Sequence, residues 1–115
     1  MTLDDFTRVA LSLPEAVEGA HMGRTDFRVG NRIFTSLHPD KDAGMVLLSP
    51  EEQAILVESE PAMFAPVPGG WGRSGSTLVF MGAVDEATLR DALIRAWRRR
   101  APPSAIAALA PEGPK

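Results

Sequence analysis

The sequence has no cysteine among its 115 residues. Disulfide bonds and thiolate metal sites are therefore excluded, and nothing in the chain requires an oxidising compartment. Its two histidines, His21 and His38, show none of the spacings of a zinc site, and no phosphate-binding loop or nucleophile motif occurs. These absences predict a protein that is not an enzyme and holds no metal ion or cofactor.

The chain also lacks a long hydrophobic run. No apolar stretch approaches the ~20 residues that a membrane-spanning helix needs, and the N-terminus carries acids where a signal peptide has a basic region. The sequence therefore predicts a cytoplasmic protein without membrane contact. With 44% hydrophobic and 23% charged residues, the chain is expected to form one domain around one core.

Positive charge is scarce overall, since the net charge is −3. This balance argues against indiscriminate binding of polyanions. The charges are unevenly distributed, however, because five arginines lie between positions 90 and 100 against a single acid, Asp91. A local basic surface on an acidic protein is therefore expected.

Three segments carry helix signals. Thr2 resembles the start of a capping box before an apolar stripe that ends at Pro14, and Ser49 begins a second helix with proline at its first position. Asp85 caps a last helix with a clean core stripe, which ends at Pro102. Trp97 falls on that stripe and is predicted to be buried.

The segments between these helices have strand patterns. Residues 26–37, DFRVGNRIFTSL, predict a β-hairpin around Gly30-Asn31, and residues 45–48 predict a third strand. The connector before the hairpin is either a loop or a short edge strand near residues 20–22. After a proline-rich crossing loop, residues 71–73 and 77–81 predict a second hairpin. Core packing is favoured for Trp71 at its start, with base stacking as the alternative.

The register of the first hairpin has two solutions. A two-residue turn at Gly30-Asn31 places Phe27, Val29 and Phe34 on one face of the sheet. A three-residue loop instead aligns Phe27 and Val29 with Ile33, together with Thr35 and Leu37. Turn chemistry favours the first solution and the burial pattern favours the second.

The element order predicts an α+β fold, a two-layer α-β(3)-α-β(2)-α domain with an antiparallel sheet. This single domain is expected to span residues 1–102. Residues 103–115 are expected to form a C-terminal tail, in which residues 104–109 are compatible with one helical turn and the final PEGPK is expected to fray.

Cationic side chains near the predicted turns are candidate binding residues. The guanidinium fork pairs with phosphate oxygens or guanine edges, so arginines at hairpin tips favour contact with nucleic acid. The alternative is that these charges keep strand edges in solution and discourage edge pairing. The candidates are Arg28, Arg32, Lys41 and Arg73.

Together these segments resemble the MmcQ/YjbR family, over roughly residues 3–102. The resemblance rests on the runs PEAVEGAHMGRTDFRVGNRIFTSL, SPEEQAIL, GGW and LRDALIRAWRRRAP. It implies a fold similar to the CyaY-like and secretion-chaperone-like domains, with no catalytic residues and no iron binding. It also implies DNA binding through two hairpin wings, which would place Arg28, Asn31, Arg32 and Arg73 at or near the wing tips.

Two functions follow as hypotheses. The first is DNA binding, by phosphate neutralisation with little readout of bases. The second is a protein-binding or chaperone-like module that uses the open face of the sheet, where Ile33 or Phe34 is exposed. Arginines gathered on one surface would favour the first function, and an exposed apolar patch on the sheet would favour the second.

Overall fold

The computed structural model of the chain describes residues 1–109. The helices are α1 (Leu3–Leu11), α2 (Pro50–Ser59), α3 (Gly70–Arg73), α4 (Glu86–Arg100) and α5 (Pro103–Ala108). The strands are β1 (Val17–His21), β2 (Arg24–Val29), β3 (Arg32–His38), β4 (Ala43–Leu47), β5 (Phe64–Pro66) and β6 (Ser76–Phe80), with a 3-10 turn at Pro39–Lys41. The tail PEGPK lies outside the described residues.

The strands form one sheet in the order β1-β2-β3-β4-β6-β5, and each neighbouring pair is antiparallel. Helices α1 and α4 pack together and cover one face of this sheet. The core lies between the two layers, where Phe6, Phe27, Phe34, Phe64 and Trp97 are fully buried. The predicted α+β fold with two layers and an antiparallel sheet is confirmed, and so is the burial of Trp97.

Local signals place the helix starts where the sequence predicts them. Thr2 and Ser49 both form complete capping boxes, in which the cap side chain and the third helical residue satisfy each other's backbone amides. The Asp85 carboxylate accepts a hydrogen bond from the backbone N–H of Thr88 at 2.7 Å. Each of these caps involves residues three positions apart, so the signal is complete within a short stretch of sequence.

The predicted second hairpin is wrong in its first strand. Residues 70–73 form the short helix α3, and β6 pairs instead with β4 on one side and on the other with β5, which lies inside the segment predicted to be a crossing loop. Close packing requires glycine in this helix, because a side chain at Gly72 would overlap the backbone carbonyl of Val67. Pro66 is tolerated because β5 is an edge strand. The short strand allowed before the first hairpin is present as β1.

The first hairpin combines both predicted registers. Gly30 and Asn31 both have positive φ, 58° and 64°, which gives the two-residue turn and pairs Val29 with Arg32. The pairing then shifts by one residue at Phe34, so that Phe27 pairs with Thr35, as the three-residue loop requires. This bulge lets Phe34 point into the helix-covered core while Ile33 lies on the opposite face.

Candidate functional site: the open face of the sheet

The sheet face opposite α1 and α4 carries a cleft of about 520 Å³. Alternation along the strands builds it, because Met45 and Leu47 face the cleft while Val46 between them is fully buried in the core. The apolar side chains that line the cleft are Met22, Ile33, Met45, Leu47, Val67 and Trp71. A half-enclosed apolar surface of this size is typical of a ligand-binding site.

Two of these side chains stand at the rim. Trp71, on α3, is 76% exposed, and Met22, in the turn between β1 and β2, is 92% exposed. The prediction that Trp71 packs in the core is therefore wrong. Large apolar side chains gain free energy when they leave water, so exposed ones at the rim of a cleft are typical of binding surfaces.

Asp26 lines the cleft and is held in an ion pair with Arg28 on the same strand. Asp26 is 2% exposed, and its two carboxylate oxygens accept hydrogen bonds from Arg28, from Nε at 2.9 Å and from Nη2 at 3.1 Å. The Arg28 Nη2 also donates to the backbone carbonyl of Ala20 at 3.1 Å. Hydrogen bonding to Asp26 and its charge raise the pKa of Arg28. Arg28 is thus held in the sheet face by a carboxylate and does not stand at the hairpin tip.

A second polar group lies at the end of the cleft where β3 finishes. The Ser36 hydroxyl and His38 Nε2 are 3.2 Å apart, and Arg24 Nη1 donates to the backbone carbonyl of Leu37 at 3.0 Å. Burial lowers the pKa of His38, and the charges of Arg24 and Lys41 lower it further, while Asp40 acts in the opposite direction. The imidazole is therefore held towards its neutral form.

The remaining predicted binding residues lie at two opposite ends of the sheet. Asn31 and Arg32 are exposed at the tip of the first hairpin, and Arg73 precedes β6 at the same end. Lys41 lies in the 3-10 turn after β3, at the other end. Their role in binding nucleic acid stays a prediction, and the fold does not bring all of them to one surface.

The hairpin tip lies against the end of α4. A side chain at Gly30 would contact the ring of Pro102 and approach the carbonyl of Arg100. The pKa of Arg100 is lowered by burial and by the charges of Arg32 and Arg99, and within residues 1–109 its buried Nε has no hydrogen-bond partner. We call this group the basic end of the sheet; it consists of Asn31, Arg32, Arg73, Arg99 and Arg100.

Two other arginines of α4 have partners away from the basic end of the sheet. Arg95 forms ion pairs with Asp91 and Glu52, and Arg90 donates to the Ser12 hydroxyl. The expected basic surface therefore contains only some of the arginines at positions 90–100.

Sequence reasoning missed most of the cleft. Arg24, Asp26 and Arg28 alternate along β2, and Ser36 and His38 along β3, so a period of two was available as a signal for a shared face. The alternation along the strands does not show which face of the sheet the helices leave uncovered.

Residues 1–109 contain no group of three or more His, Cys, Asp or Glu side chains that could hold a metal ion. In the same residues, no helix is both long and apolar enough to cross a membrane.

The fold and cleft define a small α+β domain with an apolar cleft on the open face of an antiparallel sheet. The family model described as YjbR matches residues 11–99, so the chain belongs to the YjbR family, as the resemblance of its sequence runs predicted. That family is not known as one of enzymes.

The crystal structure of protein DR2400 from Deinococcus radiodurans, which carries a domain described as DUF419, is similar in fold. The TM-score is 0.66 at 20% sequence identity, over 84% of this chain and 75% of that one. No match is found among curated proteins. The likeness to CyaY-like and secretion-chaperone-like domains stays a prediction.

Proposed function

We propose that this domain is a binding module rather than an enzyme, and that the cleft on the open sheet face takes the apolar part of its ligand. The observation that carries the proposal is the apolar cleft of about 520 Å³ with Trp71 exposed at its rim. Pockets of this size with mostly apolar walls and a few polar groups are the usual form of ligand sites. The sequence hypothesis placed a partner protein on this open face; the proposal keeps the face as the binding surface and requires only that the ligand has an apolar part.

The two tryptophans allow a direct test. Trp97 is fully buried, and its Nε1 donates to the carbonyl of Pro14 at 3.0 Å, so a ligand in the cleft changes the environment of Trp71 alone. Titration with decanol, an uncharged apolar probe, should shift tryptophan emission to the blue and saturate. The variant Trp71→Phe should abolish the shift.

A matched pair of variants locates the site. Met45→Gln places an amide on the cleft floor and should weaken decanol binding about tenfold, because part of the buried apolar area is lost. Ile55→Gln changes an exposed residue of α2 outside the cleft and should leave binding unchanged. Unsaturable titration, or equal effects of the two variants, would contradict the proposal.

We propose DNA contact at the basic end of the sheet as a second function, because one observation favours it. Burial and the charges of Arg32 and Arg99 lower the pKa of Arg100 where the hairpin tip lies against the end of α4, and a bound phosphate group would relieve the repulsion among these three guanidinium groups. The contact would use Asn31 and Arg32 at the hairpin tip and Arg73 across the sheet. Arg28 is engaged by Asp26, and Lys41 lies at the opposite end.

Salt dependence tests this second proposal. Phosphate contacts by the three cations Arg32, Arg73 and Arg100 would weaken duplex binding about 40-fold between about 50 and about 200 mM salt. Arg32→Gln should reduce that factor to about 12-fold by removing one contact, whereas Lys41→Gln should not change it. If duplex DNA shows no binding at the lower salt concentration, or if Lys41→Gln acts like Arg32→Gln, DNA binding at this end is wrong.

A further inference from the structure

The cleft is not uniform along its length. Strand β3 crosses it from Ile33 to His38, and Leu47 lies near the Ile33 end because β3 and β4 are antiparallel. Arg24 lies level with His38, since Asp26 pairs with Ser36 and the strands run in opposite directions. The cleft thus has an apolar end, which includes Val67 and Trp71, and a polar end.

The charge of the polar end is not balanced. Asp26 and Arg24 are the charged residues lining the cleft among residues 1–109, and both oxygens of Asp26 are already used by Arg28. Arg24 makes no ion pair within the described chain, and only its Nη1 is hydrogen-bonded, to the Leu37 carbonyl. Nearby Lys41 and Asp40 have opposite charges and act on His38 in opposite directions. Among the residues that line the cleft, Arg24 is therefore a positive charge with no carboxylate in ion-pair contact.

We infer that the cleft binds an amphipathic carboxylate, with its hydrocarbon chain on Ile33, Met45 and Leu47 and its carboxylate at Arg24. This inference rests on the proposed function of the cleft and names the ligand class. The guanidinium fork is suited to a carboxylate, which it can bind with two parallel hydrogen bonds. Five residue steps of β3 separate the two ends, or roughly 16 Å at strand spacing, which suits a straight-chain acid of medium length.

Fluorescence of Trp71 measures the chain-length dependence. Hexanoate, octanoate and decanoate, each below its micelle-forming concentration, should bind about fourfold more tightly for each added methylene that leaves water. Decanoate should bind at least about tenfold more tightly than decanol or decyltrimethylammonium, because a charge-assisted hydrogen bond to Arg24 forms only with the acid.

Two arginine variants test whether the charge of Arg24 in particular, and not the loss of any surface arginine, weakens decanoate binding. Arg24→Gln should weaken decanoate binding about tenfold or more and leave decanol binding unchanged. Arg98→Gln, which changes an exposed arginine of α4 outside the cleft, should change neither affinity.

The outcomes distinguish the inference from the proposed function. If decanol and decanoate bind equally, or if Arg24→Gln weakens the binding of both alike, the carboxylate inference is wrong. The proposed function of the cleft is then retained. If neither compound binds, both are wrong. If decanol binds and is displaced by a peptide with an apolar C-terminus but not by decanoate, the occupant is a protein segment and the inference is wrong.

Discussion

Gln53 connects helix α2 to the wall of the cleft. Its buried side-chain Nε2 donates to the carbonyls of Gly72 at 2.9 Å and Ser76 at 3.1 Å, and to the hydroxyl of Thr77 at 3.1 Å. These acceptors belong to α3 and the start of β6, the segment that holds Trp71 at the rim. Replacing Gln53 by leucine therefore tests what positions that wall.

The size of the effect follows from the other partners of these acceptors. The Ser76 carbonyl also accepts from the Val67 amide, and the Gly72 carbonyl from the Gly75 amide. No carbonyl is thus left without a donor in Gln53→Leu, and the loss is that of two donated N–H groups. At about 1 kcal/mol each, the variant should be about 2 kcal/mol less stable. For a chain of 115 residues this corresponds to a melting temperature lower by about 8 °C.

Urea unfolding followed by circular dichroism measures this difference. Gln53→Glu should lose more, because a carboxylate has no N–H to donate and would face three acceptors. Ile55→Gln on the same helix, at a site that is 58% exposed, serves as the control and should change stability little. A Gln53→Leu protein within about 0.5 kcal/mol of the native one would refute the reasoning.

Three further predictions concern the core, the hairpin and pH. Gly44→Ala should cost about 1–3 kcal/mol of unfolding free energy, because its Cβ would overlap the Phe6 ring; Gly82→Ala, with open space around it, should cost almost nothing. Asn31→Val should destabilise by about 1–2 kcal/mol, since a β-branched residue disfavours positive φ, and Asn31→Gly should not; similar urea midpoints for the two would contradict the turn. The pKa of His38 is lowered from 6.5, so the unfolded chain takes up a proton first as pH falls. Stability should therefore decrease from about pH 7.5 to about pH 5.5, and less so in His38→Gln; identical pH dependence of the urea midpoint in both proteins would contradict this.

Elements with local causes were predictable from the sequence. The caps at Thr2, Ser49 and Asp85 are complete within three residues, and the Gly30-Asn31 turn depends on the conformational freedom of its own two residues. The strand β5 was not predictable in this way. The prolines in and around it are typical of a loop, and its partner Val79 lies fifteen positions after Phe64, so only the completed sheet supplies its hydrogen bonds.

The cleft, too, was predictable from the sequence only in part. The apolar and polar residues of β2 and β3 alternate in the sequence, and the runs that mark the YjbR family are visible there too. The layered α+β class, the starts of α1, α2 and α4 and the family were therefore readable from the residues alone. The folded structure was needed to show that Phe34 enters the core while Ile33 faces the cleft, because the bulge depends on how β3 packs against α4. It also decided that Arg28 is neutralised by Asp26 while Arg24 is not, since side-chain pairing depends on which partners the folded sheet brings within reach.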